Sequence, residues 1–162
     1  MEILGRIEKI IKKFSERNVW IAIAESCTGG YISHMITNIS GASNVFERGV
    51  ICYGNQAKID LLSVDPQDIE IHGAVSEQVA EQMARNVRTI SKACEIGIGT
   101  TGIAGPTGDT PEKPVGLVFV GFSTKKETFV KKYIFNTDRL TFKQKVLEAV
   151  VKLLENYDIG KI

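Results

Sequence analysis

Six consecutive apolar residues, VWIAIA from Val19 to Ala24, run without a break into Glu25-Ser26-Cys27-Thr28-Gly29-Gly30 and then into YISHMITNI, whose apolar residues recur at helical spacing. An apolar run with no polar alternation suits a strand buried inside a sheet, and a helix directly after it points to a layered α/β domain. The rest of the chain fits that frame. Ile3, Leu4, Ile7, Ile10, Ile11 and Phe14 predict an amphipathic helix over residues 2–17, ending near Asn18. Phe46 to Tyr53 reads as a second strand, with Asn55 capping a short helix that carries Lys58, Leu61 and Leu62. Ser76 caps a longer helix with Val79, Met83, Val87 and Ile90 on one face. EIGIGTTG reads as a glycine-rich strand and turn, followed by a loop over residues 102–114 that holds three of the four prolines. Strands over 115–123 and 127–135 form a hairpin, and a last helix starts near Thr137. The expected fold is an α/β layered domain whose mostly parallel sheet acquires an antiparallel part.

At 162 residues, with 43% apolar and 24% charged residues, the chain has the size and composition of one folded domain. A net charge of +1 with dispersed lysines gives no footprint for nucleic acid. The N-terminus lacks the continuous apolar core of a signal peptide, and no run is long enough to span a bilayer. Cys27, Cys52 and Cys94 are odd in number and at no metal-ligand spacing, and there are two histidines. Reduced thiols, a cytoplasmic location, no membrane association and no metal are therefore expected.

In open α/β sheets ligands gather outside the strand C-terminal ends. Three polar or glycine-rich exits meet that description: Ser26 to Gly30, Tyr53 to Lys58, and Thr100 to Gly105. GIGTTG spells G-x-G-x-x-G, but it opens IAGPTGDTPEKP, whose prolines exclude the helix that dinucleotide binding needs. It is either a plain turn or a loop whose N–H groups and Thr100 and Thr101 hydroxyls suit a phosphate or oxyanion. At ESCTGGY, Thr28, Gly29 and Gly30 stand at a helix N-terminus, where they form either an anion site or an ordinary turn. Cys27 is a rival nucleophile there, with His34 about two turns away and His72 in a separate loop. The S-x-x-K spelling at Ser123 to Lys126 sits on the hairpin tip and reads as solvated turn. Ser43 and Lys58 have no nearby histidine, so any Ser43 chemistry would need a neutral lysine as base, in a dry pocket or beside a cation. Taken singly, they read as a turn serine and a helix-surface lysine. Arg139, in the first turn of the last helix, opposes the helix dipole unless an anion is held there or Asp138 or Glu148 pairs with it.

AESCTGG, GASNVFERGVICYGNQAK, HGAVSEQVAEQMA and TGIAGPTGDTPEKPVG, in that order, resemble the CinA C-terminal domain family, over about residues 3–158. The chain looks like the stand-alone form of that domain. The resemblance implies an α/β fold, a three-layer α/β/α sandwich with a mixed, mostly parallel sheet, and hydrolysis of the carboxamide of nicotinamide mononucleotide to nicotinate mononucleotide and ammonia, with no metal or organic cofactor, in a homo-oligomer. It implies Ser43 as nucleophile, Lys58 as general base and Tyr53 as a supporting residue. Ser26 and Thr101 fall near the reacting amide and Arg139 at the substrate phosphate, with Thr28, Gly29, Gly30, Asn55 and Gly102 also expected to bind substrate. Ala42, Gly54 and Gly108-Asp109-Thr110 depart from the usual pattern, the last bearing on substrate range. Two other readings share these motifs: a non-catalytic nucleotide- or protein-binding module linked to competence and DNA uptake, and an amidase of a related small substrate.

Overall fold

The computed structural model describes residues 2–161. Its elements in chain order are α1 (Ile3–Ser15), β1 (Ile21–Glu25), α2 (Tyr31–Thr37), β2 (Phe46–Ile51), α3 (Asn55–Leu62), α4 (Pro66–His72), α5 (Glu77–Ile90), β3 (Ile96–Gly102), β4 (Leu117–Ser123), β5 (Thr128–Ile134) and α6 (Arg139–Asn156). Short 3-10 turns cover Ala42–Asn44 and Ile159–Lys161. The five strands lie in the order β2-β1-β3-β4-β5. β1 pairs in parallel with β2 and β3, while β4 is antiparallel to both β3 and β5, so β4 alone runs against the others.

Strand alternation sorts the side chains into two cores. Ile21, Ile23, Ile96, Ile98 and Val120 face α1, α2 and α6, packing with Phe14, Phe142 and Leu147. Ala22 and Ala24 face the other way, packing with Cys52, Leu62, Val79, Met83 and Val87 under α3 and α5. The sheet is thus the middle of three layers, as the resemblance implies. One helix was not foreseen: α4, where Asp65 caps the N-terminus by accepting from Gln67 N–H at 2.8 Å and Pro66 opens the first turn. Among the described residues no helix is long and apolar enough to cross a membrane.

The glycines of GIGTTG serve packing. A Cβ built on Gly97 would lie 2.1 Å from the Ala84 carbonyl oxygen, one on Gly99 2.7 Å from Ala84 N, and one on Gly121 2.3 Å from the Ala80 carbonyl oxygen. Gly99 and Gly121 are direct register partners on β3 and β4, so the sheet presents a trough of bare backbone on which α5 rests. Gly97→Ala is therefore expected to destabilise the fold by about 1–3 kcal/mol through overpacking, a fall in Tm of roughly 2–12 °C. Gly54→Ala, where an added Cβ meets nothing within 4 Å, should stay within about 0.5 kcal/mol of wild type. Thermal melts of the two variants check the pair.

Candidate active site

β1 ends on two residues that point to opposite faces of the sheet. Glu25 continues the Ile21 and Ile23 side and is fully buried. Its Oε2 accepts from Thr28 Oγ1 at 2.6 Å, Gly30 N at 2.9 Å and Ile32 N at 3.2 Å. Its Oε1 accepts from Ser33 N at 2.8 Å and Ser33 Oγ at 2.6 Å. The protein's own carboxylate thus takes the Thr28 hydroxyl and the Gly30 N–H, and the expectation that these hold a substrate anion is corrected; the Thr28 N–H is not part of that network. Gly29 is also committed, its N–H donating to the Ser26 carbonyl at 3.0 Å. Because Thr28 has given its one hydroxyl hydrogen to Glu25, the 3.1 Å contact with Thr100 Oγ1 has Thr100 as donor.

Ser26, the next residue, turns toward α3 and α5. Lys58 comes up to meet it from α3, entered through the turn Tyr53-Gly54. Its side chain is 1% exposed, and its Nζ donates to Ser26 Oγ at 3.0 Å, the Cys52 carbonyl at 3.0 Å and the Tyr53 carbonyl at 3.1 Å. No carboxylate lies within ion-pair distance of it among the described residues. Burial holds the Lys58 ammonium below the ordinary lysine value. A neutral amine has two hydrogens and one lone pair. Since the two carbonyls can only accept, they fix both hydrogens and leave the lone pair to the serine hydroxyl.

The pair forms the floor of a cleft of about 180 Å³. Asn55 and Tyr53 line one side and Thr101 and Gly102 the other, with Ala74, Val75 and Ala104 as apolar walls and Arg139 at the mouth. Thr101 donates its hydroxyl to the Ala74 carbonyl at 2.7 Å, so it shapes the wall instead of offering a free donor to an oxyanion. The Tyr53 side chain is exposed and its hydroxyl accepts from Arg139 Nη2 at 2.8 Å, while Arg139 Nη1 donates to the Gly105 carbonyl at 2.9 Å. Arg139 pairs with neither Asp138 nor Glu148: Asp138 caps α6 through Leu140 N and Thr141 N, and Glu148 bonds Lys145.

Ser43 is not in this cleft. It lies exposed in the 3-10 turn before β2, beside a separate surface hollow with Thr37, Ile39 and Phe46. Lys58 follows the other end of β2, which as a six-residue strand spans roughly 20 Å. The pairing of Ser43 with Lys58 is therefore corrected: the serine that faces the lysine is Ser26. Cys27 is buried, and burial pushes its thiol up to about 12, which removes it as a competing thiolate nucleophile. His34 and His72 line no part of the cleft. Ser123 is buried at the end of β4, bonded to Arg88 Nε and Thr128 Oγ1, and is not part of a solvated tip. Ala74 and Val75 were missed as wall residues, although they belong to a motif the sequence displays.

A family model described as the CinA C-terminal domain matches residues 5–157. A protein of Thermoanaerobacter sp. named as competence-damage inducible is 44% identical over 153 residues, covering 94% of this chain and 37% of that one. A CinA-like protein of Chlorobaculum tepidum is 52% identical over 118 residues, 73% of this chain and 28% of its own length. The chain thus matches only 28–37% of the length of these two relatives. The crystal structure of the competence/damage inducible protein CihA from Agrobacterium tumefaciens superposes with a TM-score of 0.90 at 34% identity, covering 94% of this chain and 93% of that one.

Glu25 gives the site its first test. Glu25→Gln would turn an amide NH₂ toward donors it cannot satisfy, at about 1–3 kcal/mol for each one left unpaired. Chemical denaturation should show that loss.

Proposed function

The chain belongs to the CinA C-terminal domain family, and from that premise we propose that its cleft hydrolyses the carboxamide of nicotinamide mononucleotide, with Ser26 as nucleophile and Lys58 as general base. The observation that carries the reading is the 3.0 Å contact between Lys58 Nζ and Ser26 Oγ at the buried floor of the cleft. A buried lysine with no acidic partner is costly in a domain that only binds, whereas a base needs its amine neutral.

The steps follow from the donors and acceptors available. Neutral Lys58 takes the Ser26 proton as the hydroxyl oxygen attacks the amide carbon, and the carbonyl oxygen gains the charge. The N–H groups of Cys27 and Thr28, which donate to no backbone carbonyl among the described residues, supply the donors for that oxyanion. The Lys58 ammonium returns the proton to the leaving nitrogen, ammonia departs, and an ester to Ser26 remains. A water, deprotonated by Lys58, then cleaves the ester and regenerates the serine. Ala74, Val75 and Ala104 offer apolar contact to the pyridine ring.

Ammonia release from nicotinamide mononucleotide is the direct measurement. Ser26→Ala and Lys58→Met are each expected to lower kcat by at least about 10²–10⁴-fold, while Ser43→Ala keeps wild-type turnover. An inactive but folded Ser43→Ala, or an active Ser26→Ala, would overturn the assignment.

The pH dependence is a separate check. Activity should rise with pH as Lys58 loses its proton, with a midpoint below the free-lysine value. Stability has the same sign: between the folded and unfolded pKa of Lys58 the unfolded chain binds more protons, so the Lys58 contribution grows as pH rises through that window. A kcat flat from pH 5 to 10 would argue against Lys58 as base.

A further inference from the structure

The proline-rich loop after β3 carries a cation that the steps above do not use. The root of the loop is closed by Ile103 N–H, which donates to the Leu117 carbonyl at 2.8 Å, and by Gly116 N–H, which donates to the Ile103 carbonyl at 2.7 Å. Farther out, Thr110 N–H donates to the Lys113 carbonyl at 2.9 Å and Lys113 N–H to the Thr110 carbonyl at 3.2 Å, a tight turn that fixes where the Lys113 side chain starts. That side chain leaves the loop, and its Nζ donates to the carbonyl of His72, the last residue of α4. No carboxylate lies within ion-pair distance of it among the described residues. The last carbonyls of a helix lack partners within the helix, and a lysine ammonium is a favourable donor to them.

Gly73 leaves room for this contact. Its φ of 79° is one that residues with side chains rarely adopt, and a Cβ built on it would lie 2.8 Å from Lys113 Nζ. Directly after it come Ala74 and Val75, the apolar wall of the cleft. The three carbonyls leading into that wall are each held from a different part of the chain: His72 by Lys113, Gly73 by Ser76 Oγ at 2.8 Å and Ala74 by Thr101 Oγ1 at 2.7 Å. Gly102 and Ala104, at the root of the loop, line the same cleft. The Lys113 contact therefore ties the far part of the loop back to the wall beside its own root.

We propose that Lys113 is a positioning residue: by gripping the end of α4 it holds the Ala74–Val75 wall against the aromatic ring of the substrate. The inference rests on the reading of the cleft as an amidase site for a pyridine carboxamide. An apolar wall touches the ring equally before and during the reaction, so loosening it weakens binding without slowing the bound step.

For Lys113→Met, KM for nicotinamide mononucleotide is expected to rise about 3- to 30-fold with kcat within about twofold of wild type, as for one charge-assisted hydrogen bond at a half-exposed site. Lys113→Arg should restore KM. Hydrogen exchange reads the wall without substrate: the Gly73 amide, bonded to the Ile69 carbonyl, and the Val79 amide, bonded to Ser76 Oγ, flank it. Both should exchange at least about fivefold faster in Lys113→Met, while Ile98 in the central strand keeps its protection. If wild type hydrolyses the nucleotide, a Lys113→Met variant with KM unmoved overturns the proposal. So does one in which kcat and Ile98 protection fall together, which is a general loss of stability. If wild type releases no ammonia, the amidase reading falls and the amides decide: faster exchange at Gly73 and Val79 keeps the grip on the wall, and unchanged exchange removes it too.

Discussion

The Glu25 carboxylate organises the edge of the sheet on which everything else is placed. A buried carboxylate is tolerable only when its oxygens are well supplied with donors, and here the start of α2 supplies backbone N–H groups with Thr28 and Ser33 hydroxyls added. The bonds tie the end of β1 to the first turn of α2 and fix the direction of the chain between them. Because side chains alternate along a strand, fixing Glu25 on one face commits Ser26 to the other. The position of the Ser26 hydroxyl is thus a consequence of a structural carboxylate one residue earlier.

Lys58 poses the opposite problem. Its burial disfavours the charged form, each unit of pKa depression corresponding to about 1.4 kcal/mol, yet three oxygens stand ready to accept from the ammonium. The balance falls on the side of desolvation. Two of the oxygens are backbone carbonyls at the end of β2, so the cradle is made from the chain's own path and needs no further side chain. The same turn that delivers Lys58 delivers its acceptors.

Much of this was legible in the sequence because it rests on periodicity. The unbroken run at Val19–Ala24, the spacing of Ile7, Ile10, Ile11 and Phe14, and the Ser76 cap predict β1, α1 and α5 closely, and the three strand exits that were singled out converge on one cleft. Ser43 does not meet Lys58 within the chain for a reason the sequence already contained. A serine before a strand and a lysine after it emerge at opposite ends of that strand, whatever their spacing along the chain. Gly29 and Gly30 dropped out as anion donors because pattern alone cannot say whether a neighbouring carboxylate turns inward or outward. Gly97 and Gly99 of GIGTTG, whose dinucleotide reading the following prolines exclude, are explained by the approach of α5. α4 was missed because its seven residues bury no side chain, leaving only Asp65-Pro66 as a signal.

For the proposed reaction, a lysine suits this geometry as base where a histidine would not. An imidazole acting on a serine has its second nitrogen to satisfy, usually with a carboxylate that holds the ring and stabilises its charge. The carboxylate closest in sequence, Glu25, is on the wrong face and fully engaged. A primary amine between two carbonyls needs no such partner: once neutral, its hydrogens are pinned by Cys52 and Tyr53 and its lone pair has one direction left, toward Ser26 Oγ. A strand end that has spent its acid on architecture can still carry a base, provided the base is a lysine kept dry.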